Sequence, residues 1–327
     1  MKKIAILASG GNSPAMNNAV ITLVRKARYY NLEVELIQDG FLGLFNNQFK
    51  KPDLNTLSYF YANGNVQIGS SRFPQLQEKP NADKCYENLK ARGIDCLFVI
   101  GGDGSYNGAN RMFIRGMQVM CLPGTIDNDV QNTDLTIGFS SALNSIVSSI
   151  DAIRNCFDSH NSVCIVEVMG RRYPALAIQA GIATQAEAIL TVDNTLTTSQ
   201  IIDVVKESRK NGHRSCIIVA TERLYGRDGL PSLKEIADEI KKTTGIMARY
   251  NVIGYVQRGW NPTAEDRVLA SRMASYALDL AIKDKGSYSI AIRNNKLVHN
   301  TITDTINYPL KATNKEVVID FEKYNKL

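Results

Sequence analysis

Four times along this chain a short apolar run stops at a polar turn that carries glycine. Residues 4–8 (IAILA) lead into Ser9-Gly10-Gly11, and residues 96–100 (CLFVI) into Gly101-Gly102-Asp103-Gly104-Ser105. Residues 118–122 (QVMCL) lead into Pro123-Gly124, and residues 163–168 (VCIVEV) into Met169-Gly170-Arg171. Runs of this length with little polar alternation fit strands covered on both faces. Further strand-like runs lie at 32–37, 189–191, 216–220, 252–256 and 287–293, the last followed by Asn294-Asn295, a pair suited to a tight turn. Helical spacing marks 16–29, 84–92, 142–156, 199–210, 231–242 and 263–282, where Val268, Leu269, Met273, Ala274 and Leu278 are the apolar residues. This alternation predicts an α/β fold, with mainly parallel sheets between layers of helices. Ligands gather at the carboxyl ends of such strands, so the first three glycine turns are expected to share one cleft.

The 327 residues exceed what one core usually holds, and two domains are expected. With 44% hydrophobic and 21% charged residues the chain has ordinary soluble composition. Its net charge of +6 suits an anionic small ligand or a plain solvated surface, and is too dilute to argue for nucleic acid. The six cysteines show no CxxC spacing and read as reduced, structural thiols. Residues 4–8 are too short for a signal-peptide core, and no run approaches the roughly eighteen apolar residues of a membrane span. A cytoplasmic protein without membrane or nucleic-acid partners is expected.

Three of the turns carry chemistry. Gly10 and Gly11 let backbone N–H groups approach a phosphate, with a helix starting near Pro14 to add its positive end. A simple strand-to-helix turn is the competing reading, and there is no GxxxxGK[ST] sequence. Asp103, among three glycines, suits a Mg²⁺ that bridges phosphates, or an Asx-turn. In residues 123–129 (PGTIDND), Asp127 and Asp129 offer one carboxylate to take a proton and another to orient hydrated Mg²⁺; a solvated acidic loop is the alternative. Arg72, Arg171, Arg249 and Arg258 lie at strand ends or turns, and their planar forks match phosphoryl oxygens.

The order of these landmarks identifies a resemblance. Ser9-Gly10-Gly11 with Pro14 and Met16-Asn17, Gly69-Ser70-Ser71-Arg72-Phe73, residues 101–105, residues 123–129, Glu167-Val168-Met169-Gly170-Arg171, Glu222, Gln257-Arg258-Gly259 and residues 262–273 follow one another as in bacterial ATP-dependent 6-phosphofructokinases. The chain resembles that family over nearly its full length. The resemblance implies two Rossmann-like three-layer domains: a nucleotide-binding domain of residues 1–138 plus 257–307, and a sugar-phosphate domain of 139–256 plus 308–327. It implies ATP and Mg²⁺ as cofactors and fructose 6-phosphate as substrate. Asp127 would be the base, with Thr125, Arg171 and Gly11 beside it in the catalytic group. Gly11, Arg72, Phe73, Gly102, Asp103, Gly104, Ser105 and Gly108 would hold ATP, and Asp103 and Asp129 the metal. Thr125, Asp127, Asp129, Met169, Gly170, Arg171, Glu222, Arg249 and Arg258, with the positions of Ser162 and Tyr255, would line the sugar phosphate. A homotetramer would complete the site across an interface. Arg25, Arg154, Glu187 and Arg214 match an effector pocket for ADP or phosphoenolpyruvate, weakened by Ile21, Leu54 and Asn211 where basic residues are often found. Glycine at 104 and 124, where pyrophosphate-using relatives carry Asp and Lys, resembles the ATP-using branch.

Several positions depart from the pattern. Asn12 stands for the usual aspartate and keeps its size without its charge. Ala15 stands for a glycine; it fits if its φ is negative, and it adds a methyl group near the loop. Ser162 stands for an arginine and Tyr255 for a histidine, which predicts weaker or altered sugar-phosphate recognition. Trp260 stands for a glycine, and Arg172 is a new cation after the MGR sequence. Two other readings remain: a catalytically weak or inactive paralogue that binds nucleotide and assembles with an active subunit, or a kinase for another sugar phosphate.

Overall fold

The computed structural model describes residues 1–170, 173–308 and 318–321. It divides into two compact units, Met1–Ser141 with Arg258–Leu310, and Ala142–Gln257 with Lys311–Leu327. The first unit opens with β1 (Lys3–Ser9), α1 (Met16–Tyr29), β2 (Glu33–Ile37), α2 (Gly40–Phe45), β3 (Phe49–Lys50), α3 (Leu54–Ser58), α4 (Lys79–Ala91), β4 (Cys96–Gly101), α5 (Asp103–Phe113) and β5 (Gln118–Pro123). Helix α6 (Phe139–His160) runs on into the second unit, followed by β6 (Val163–Val168), α7 (Ala175–Ala183), β7 (Ala188–Leu190), α8 (Thr198–Lys210), β8 (Cys216–Thr221), α9 (Leu233–Thr244) and β9 (Ala248–Val252). Short α10 (Val256–Gly259) returns the chain to the first unit, which ends with α11 (Ala264–Lys283), β10 (Tyr288–Arg293), β11 (Lys296–Thr301) and α12 (Ile302–Asn307).

The first unit holds a seven-stranded sheet, β11-β10-β5-β4-β1-β2-β3. Its five inner strands are parallel, and β11 and β3 add antiparallel edges. Strand β1 shows why the sheet needs both helical layers. Ile4, Ile6 and Ala8 pack with α1 and α11, whereas Ala5 and Leu7 pack with α2, α4 and α5. A strand with apolar side chains on both faces is stable only between two covering layers. Asn294 and Asn295 both take positive φ and close the β10–β11 hairpin, as their sequence predicts.

The second unit is built on the four-stranded parallel sheet β7-β8-β6-β9. Val163, Ile165, Cys216 and Ile218 pack with α8 and α9 on one face. Ile189 packs with Ile178, Val318 and Phe321 in a smaller cluster. Both covering helices begin with capping boxes, Thr197 with Gln200 and Ser232 with Glu235. Ser232 therefore starts α9 at Leu233, two residues later than the apolar spacing predicts. Five of the six cysteines are buried, and burial pushes the Cys85 and Cys164 thiols up to about 12.

Several expectations need correction; helix α4, for one, starts at Lys79, five residues before the expected 84. The strand expected at 252–256 is β9, Ala248–Val252; Gly254 and Tyr255 form a turn, and Val256 already opens α10. β9 is an edge strand whose last four residues are exposed, so its sequence lacks the apolar run that marks inner strands. Helix α6 extends three residues before and four after the expected 142–156. Ala15 takes φ 68°, not a negative value, at the N-cap of α1. That conformation costs an alanine roughly 1–2 kcal/mol. Its methyl group is buried in the α1–α11 cluster, which offsets part of the strain.

Asp266 joins α11 to the start of α6. Its carboxylate is 1% exposed and accepts from the Gly138 N–H (3.0 Å), the Ser141 N–H (2.7 Å) and the Ser141 hydroxyl (2.5 Å). It thus caps α6 from a distant segment, where the helix dipole favours a negative charge. Burial raises the carboxyl's pKa, and the three donors oppose that rise. Replacing Asp266 by Ala leaves two backbone donors without their partner, at about 1–3 kcal/mol each. Denaturant unfolding of D266A is expected to show a loss of at least ~2 kcal/mol, with D266N, which keeps one acceptor oxygen, losing less. A loss below ~0.5 kcal/mol would contradict the capping role.

Candidate functional site

The strand register decides which turns meet. Ser9 pairs with Gly101, and Gly101 pairs with Pro123, so β1, β4 and β5 end level with one another. The turns at 10–12, 102–105 and 124–129 leave the sheet side by side at its carboxyl edge. Ser105 reinforces the row by donating from Oγ to the Ser9 carbonyl, 3.1 Å away.

Gly10 takes φ 93°, which a side chain would strain, and its N–H donates to the Ser71 carbonyl at 3.2 Å. Gly11 lies beneath a side chain. A Cβ there would lie 2.7 Å from Nη1 of Arg258. The Arg258 guanidinium therefore lies directly over the turn. It donates from Nη1 to the Asn12 carbonyl (3.1 Å), and its Nη2 stands 4.0 Å from Oδ2 of Asp127.

The segment after β5 is pinned at both ends. The Ile137 N–H donates to the Pro123 carbonyl (2.7 Å), and the Thr136 hydroxyl to the Thr125 carbonyl (2.6 Å). Ile126 and Val130 are buried, and Asp127 and Asp129 are half-buried between and beside them. The Asp127 N–H donates to Thr125 Oγ1 (3.2 Å), and Gln131 donates to the Asp129 carbonyl (2.8 Å). Asn128 reaches the needed turn with φ 52° and donates to the Asp134 carbonyl (3.1 Å). Gly124 is closely packed: a Cβ there would meet Ile100 and Met16 at 2.9 Å.

Asp103 is exposed and opens α5, where the Ser105 and Tyr106 N–H groups turn back to the Gly102 carbonyl (2.9 and 3.2 Å) and those of residues 103 and 104 precede the first intrahelical bond. This start of α5, expected only as a glycine turn, combines exposed backbone donors with a carboxylate. A side chain at the neighbouring Gly104 would meet nothing within 4 Å, so the helix end is open to an incoming group. Mg²⁺ usually takes one or two carboxylates and completes its shell with phosphate and water. Asp103 and Asp129, on the turns after adjacent strands, are a donor set of that kind. Among the described residues no three metal-binding side chains converge. Arg72 is exposed, and half-buried Phe73 leans on Phe45 at 5.2 Å between ring centres. Gly108 is buried, and a Cβ would strike Phe41 (2.6 Å) and Leu76 (2.9 Å); its immediate job is to let these side chains pack on α5.

In the second unit, Val168 pairs with Thr221 and Glu167 with Val252, which brings the segments after β6, β8 and β9 to one edge. Met169, Gly170 and Glu222 are there; Gly170 takes φ 117°, and the Glu222 N–H donates to the Val168 carbonyl (2.7 Å). Gln257 is fully buried and ties this edge together. Its Oε1 accepts from the Met169 N–H (3.0 Å), and its Nε2 donates to the Gly254 carbonyl (2.9 Å). The sequence reading assigned Gln257 no role, because an amide side chain carries no local signal of its partners. Arg249 and Tyr255 are exposed, Tyr255 to 83%, whereas Ser162 is buried with its hydroxyl on the Phe157 carbonyl (3.4 Å). Arg171 and Arg172 lie outside the described residues.

Of the four effector positions, Arg154 and Glu187 come together at 3.7 Å. Arg154 also donates to the Thr184 and Gln185 carbonyls, and buried Glu187 accepts from the Ile217 N–H (2.7 Å) beside His213 (3.3 Å). Arg214 donates to the Asp158 carbonyl (3.0 Å). Arg25, in the first unit, donates to Ser58 (2.9 Å).

The model of the Phosphofructokinase family matches residues 3–281. A probable ATP-dependent 6-phosphofructokinase of Malacoplasma penetrans is 38% identical over 320 residues, 98% of this chain and 99% of that protein. An ATP-dependent 6-phosphofructokinase of Haemophilus influenzae is 43% identical over 308 residues, 94% of each chain. Among solved structures, Pichia pastoris phosphofructokinase in the T-state superposes with a TM-score of 0.87 at 30% identity, over 99% of this chain and 39% of that one.

Glu167 gives a test of the electrostatics in the second unit. Its pKa is raised, first by burial and then by the neighbouring Glu222 charge, against a hydrogen bond from the Arg223 N–H. A carboxyl whose folded pKa lies above its unfolded value stabilises the fold below the unfolded pKa and loses that contribution as pH rises through the folded one. Glu167→Gln is therefore expected to raise Tm at about pH 7, with the gain vanishing below about pH 4. A Tm difference independent of pH would contradict this.

Proposed function

The chain belongs to the phosphofructokinase family, and from that premise we propose that it transfers the terminal phosphoryl group of ATP to the 1-hydroxyl of fructose 6-phosphate. The observation that carries the reading is the group formed by Gly11, Arg258 and Asp127 beside the open start of α5. A half-buried carboxylate next to a fixed cation suits a base that must stay ionised. In this reading Asp127 takes the proton from the sugar hydroxyl. Thr125 and Arg171 stabilise the phosphoryl group in transit, with Gly11 beside them, where the absence of a side chain leaves room for the Arg258 guanidinium. Gly11, Arg72, Phe73, Gly102, Asp103, Gly104, Ser105 and Gly108 receive ATP. Mg²⁺, held by Asp103 and Asp129, neutralises phosphate charge when bound.

On this reading, residues 1–138 with 257–307 form the nucleotide-binding domain, and 139–256 with 308–327 the sugar-phosphate domain. Met169, Gly170, Glu222, Arg249, Tyr255 and Ser162, together with Arg258, line the substrate, and a homotetramer completes the site. The environment of Gly124 supports ATP over pyrophosphate as donor. The lysine found there in pyrophosphate-using relatives would begin with a Cβ 2.9 Å from two buried side chains. No helix among the described residues is long and apolar enough to cross a membrane, and a cytoplasmic location follows from the family reading.

A second reading has its own observation. Ser162 is buried against the Phe157 carbonyl, and Tyr255 presents its ring to solvent. The cationic contacts that the resemblance places at these positions are replaced, which favours a different sugar phosphate or a weak subunit working beside an active one.

A coupled assay with ATP, Mg²⁺ and a panel of hexose and heptulose phosphates separates these readings. Turnover is expected to be highest with fructose 6-phosphate, and absent when pyrophosphate replaces ATP. No turnover by folded protein at saturating substrate would sink the kinase reading. Asp127→Ser is expected to lower kcat by about 10²–10⁴ while leaving nucleotide affinity nearly unchanged.

A further inference from the structure

We propose that Asn12 is a positioning residue that acts through Arg258, and that its role in this chain requires an amide rather than a carboxylate. The kinetic consequences rest on the kinase reading above; the geometry does not.

The Asn12 side chain donates from Nδ2 to two carbonyl oxygens, that of Gly64 at 2.8 Å and that of Arg258 at 2.6 Å. Arg258 returns the contact, donating from Nη1 to the Asn12 carbonyl at 3.1 Å. Side chain to backbone in one direction and side chain to backbone in the other makes a closed pair. The pair fixes where the guanidinium can lie: over Gly11, with Nη2 facing Asp127 at 4.0 Å. The third segment is held just as closely. A Cβ on Gly64 would collide with the carbonyls of Gly259 and Trp260, so the 64 turn already lies against the backbone that follows Arg258.

Two acceptors converging on one group demand a donor of two hydrogens. The amide NH₂ meets that demand in full. An ionised carboxylate of the same shape supplies neither hydrogen and sets oxygen against oxygen at hydrogen-bond distance. Both carbonyls then lose a partner, and the backbone of Arg258 is free to move away from Gly11. The aspartate that the resemblance places here in relatives is therefore incompatible with this arrangement, and Asn12 is the residue that sustains it.

Trp260, the single tryptophan of the chain, stands two residues from Arg258 and is 38% exposed, so it reports on this segment without reference to activity. Asn12→Asp is expected to shift Trp260 emission and to lower kcat/KM for fructose 6-phosphate by at least about tenfold, with the KM for ATP within about twofold. The deficit relative to the parent should shrink as pH falls and the new carboxyl gains a proton to donate. Because Asn12 acts through Arg258, N12D in an Arg258→Ala background should equal R258A alone. Multiplying losses in the double variant would overturn the proposal, as would N12D with parental kinetics and unchanged Trp260 emission. Should N12D fail to fold, Asn12→Ser, which keeps one donor, replaces it with an intermediate loss and the same double-variant test. If the parent itself turns over no sugar phosphate, the kinase reading falls, and the Trp260 comparison alone decides the positioning role.

Discussion

The hydrogen-bonded register of β1, β4 and β5 is the constraint on which the first unit's chemistry depends. Ser9, Gly101 and Pro123 lie in one row, so three turns distant in sequence emerge as neighbours. A slip of one residue in either pairing would turn every side chain of that strand to the opposite face. The register is held because both faces are committed: Ile4 and Ile6 to α1 and α11, Ala5 and Leu7 to α2, α4 and α5. The apolar core and the polar edge are thus fixed by the same pairing.

Upon this edge Arg258 links two kinds of chemistry. Its guanidinium meets the backbone of the glycine turn on one side and the carboxylate of Asp127 on the other. Glycines in this region do different work, which composition alone hides. Gly10 supplies a backbone angle, Gly11 leaves room for a guanidinium, Gly108 admits Phe41 and Leu76, and Gly124 fits between Ile100 and Met16. The open space beside Gly104 is the exception, and it lies at the start of α5, where the helix dipole favours an anion.

Much of the fold is legible in the sequence because inner parallel strands are apolar throughout and end at glycine. The strand of residues 163–168 and the helix of residues 16–29 are read to the residue for that reason. The edge strand β9 is misplaced because exposure removes the apolar signal. The positive φ of Ala15 is not legible, because its residue type argues for a negative value whereas the turn into α1 takes the left-handed region. Nor can spacing along the chain reveal that Asp266 caps α6, that Gln257 joins the ends of two loops, or that Asn12 holds Arg258. Each of these is a hydrogen bond between segments separated by 88 or more residues.

By itself the sequence determined the α/β class, the inner strands, and the turns where polar chemistry gathers. Periodicity and glycine placement are local properties, and local properties survive in a linear reading. Tertiary structure alone decided which turns became neighbours, which glycine made room for which side chain, and why position 12 carries an amide. Those outcomes depend on carbonyl and guanidinium groups brought within about 3 Å by folding, a distance no spacing in the chain encodes.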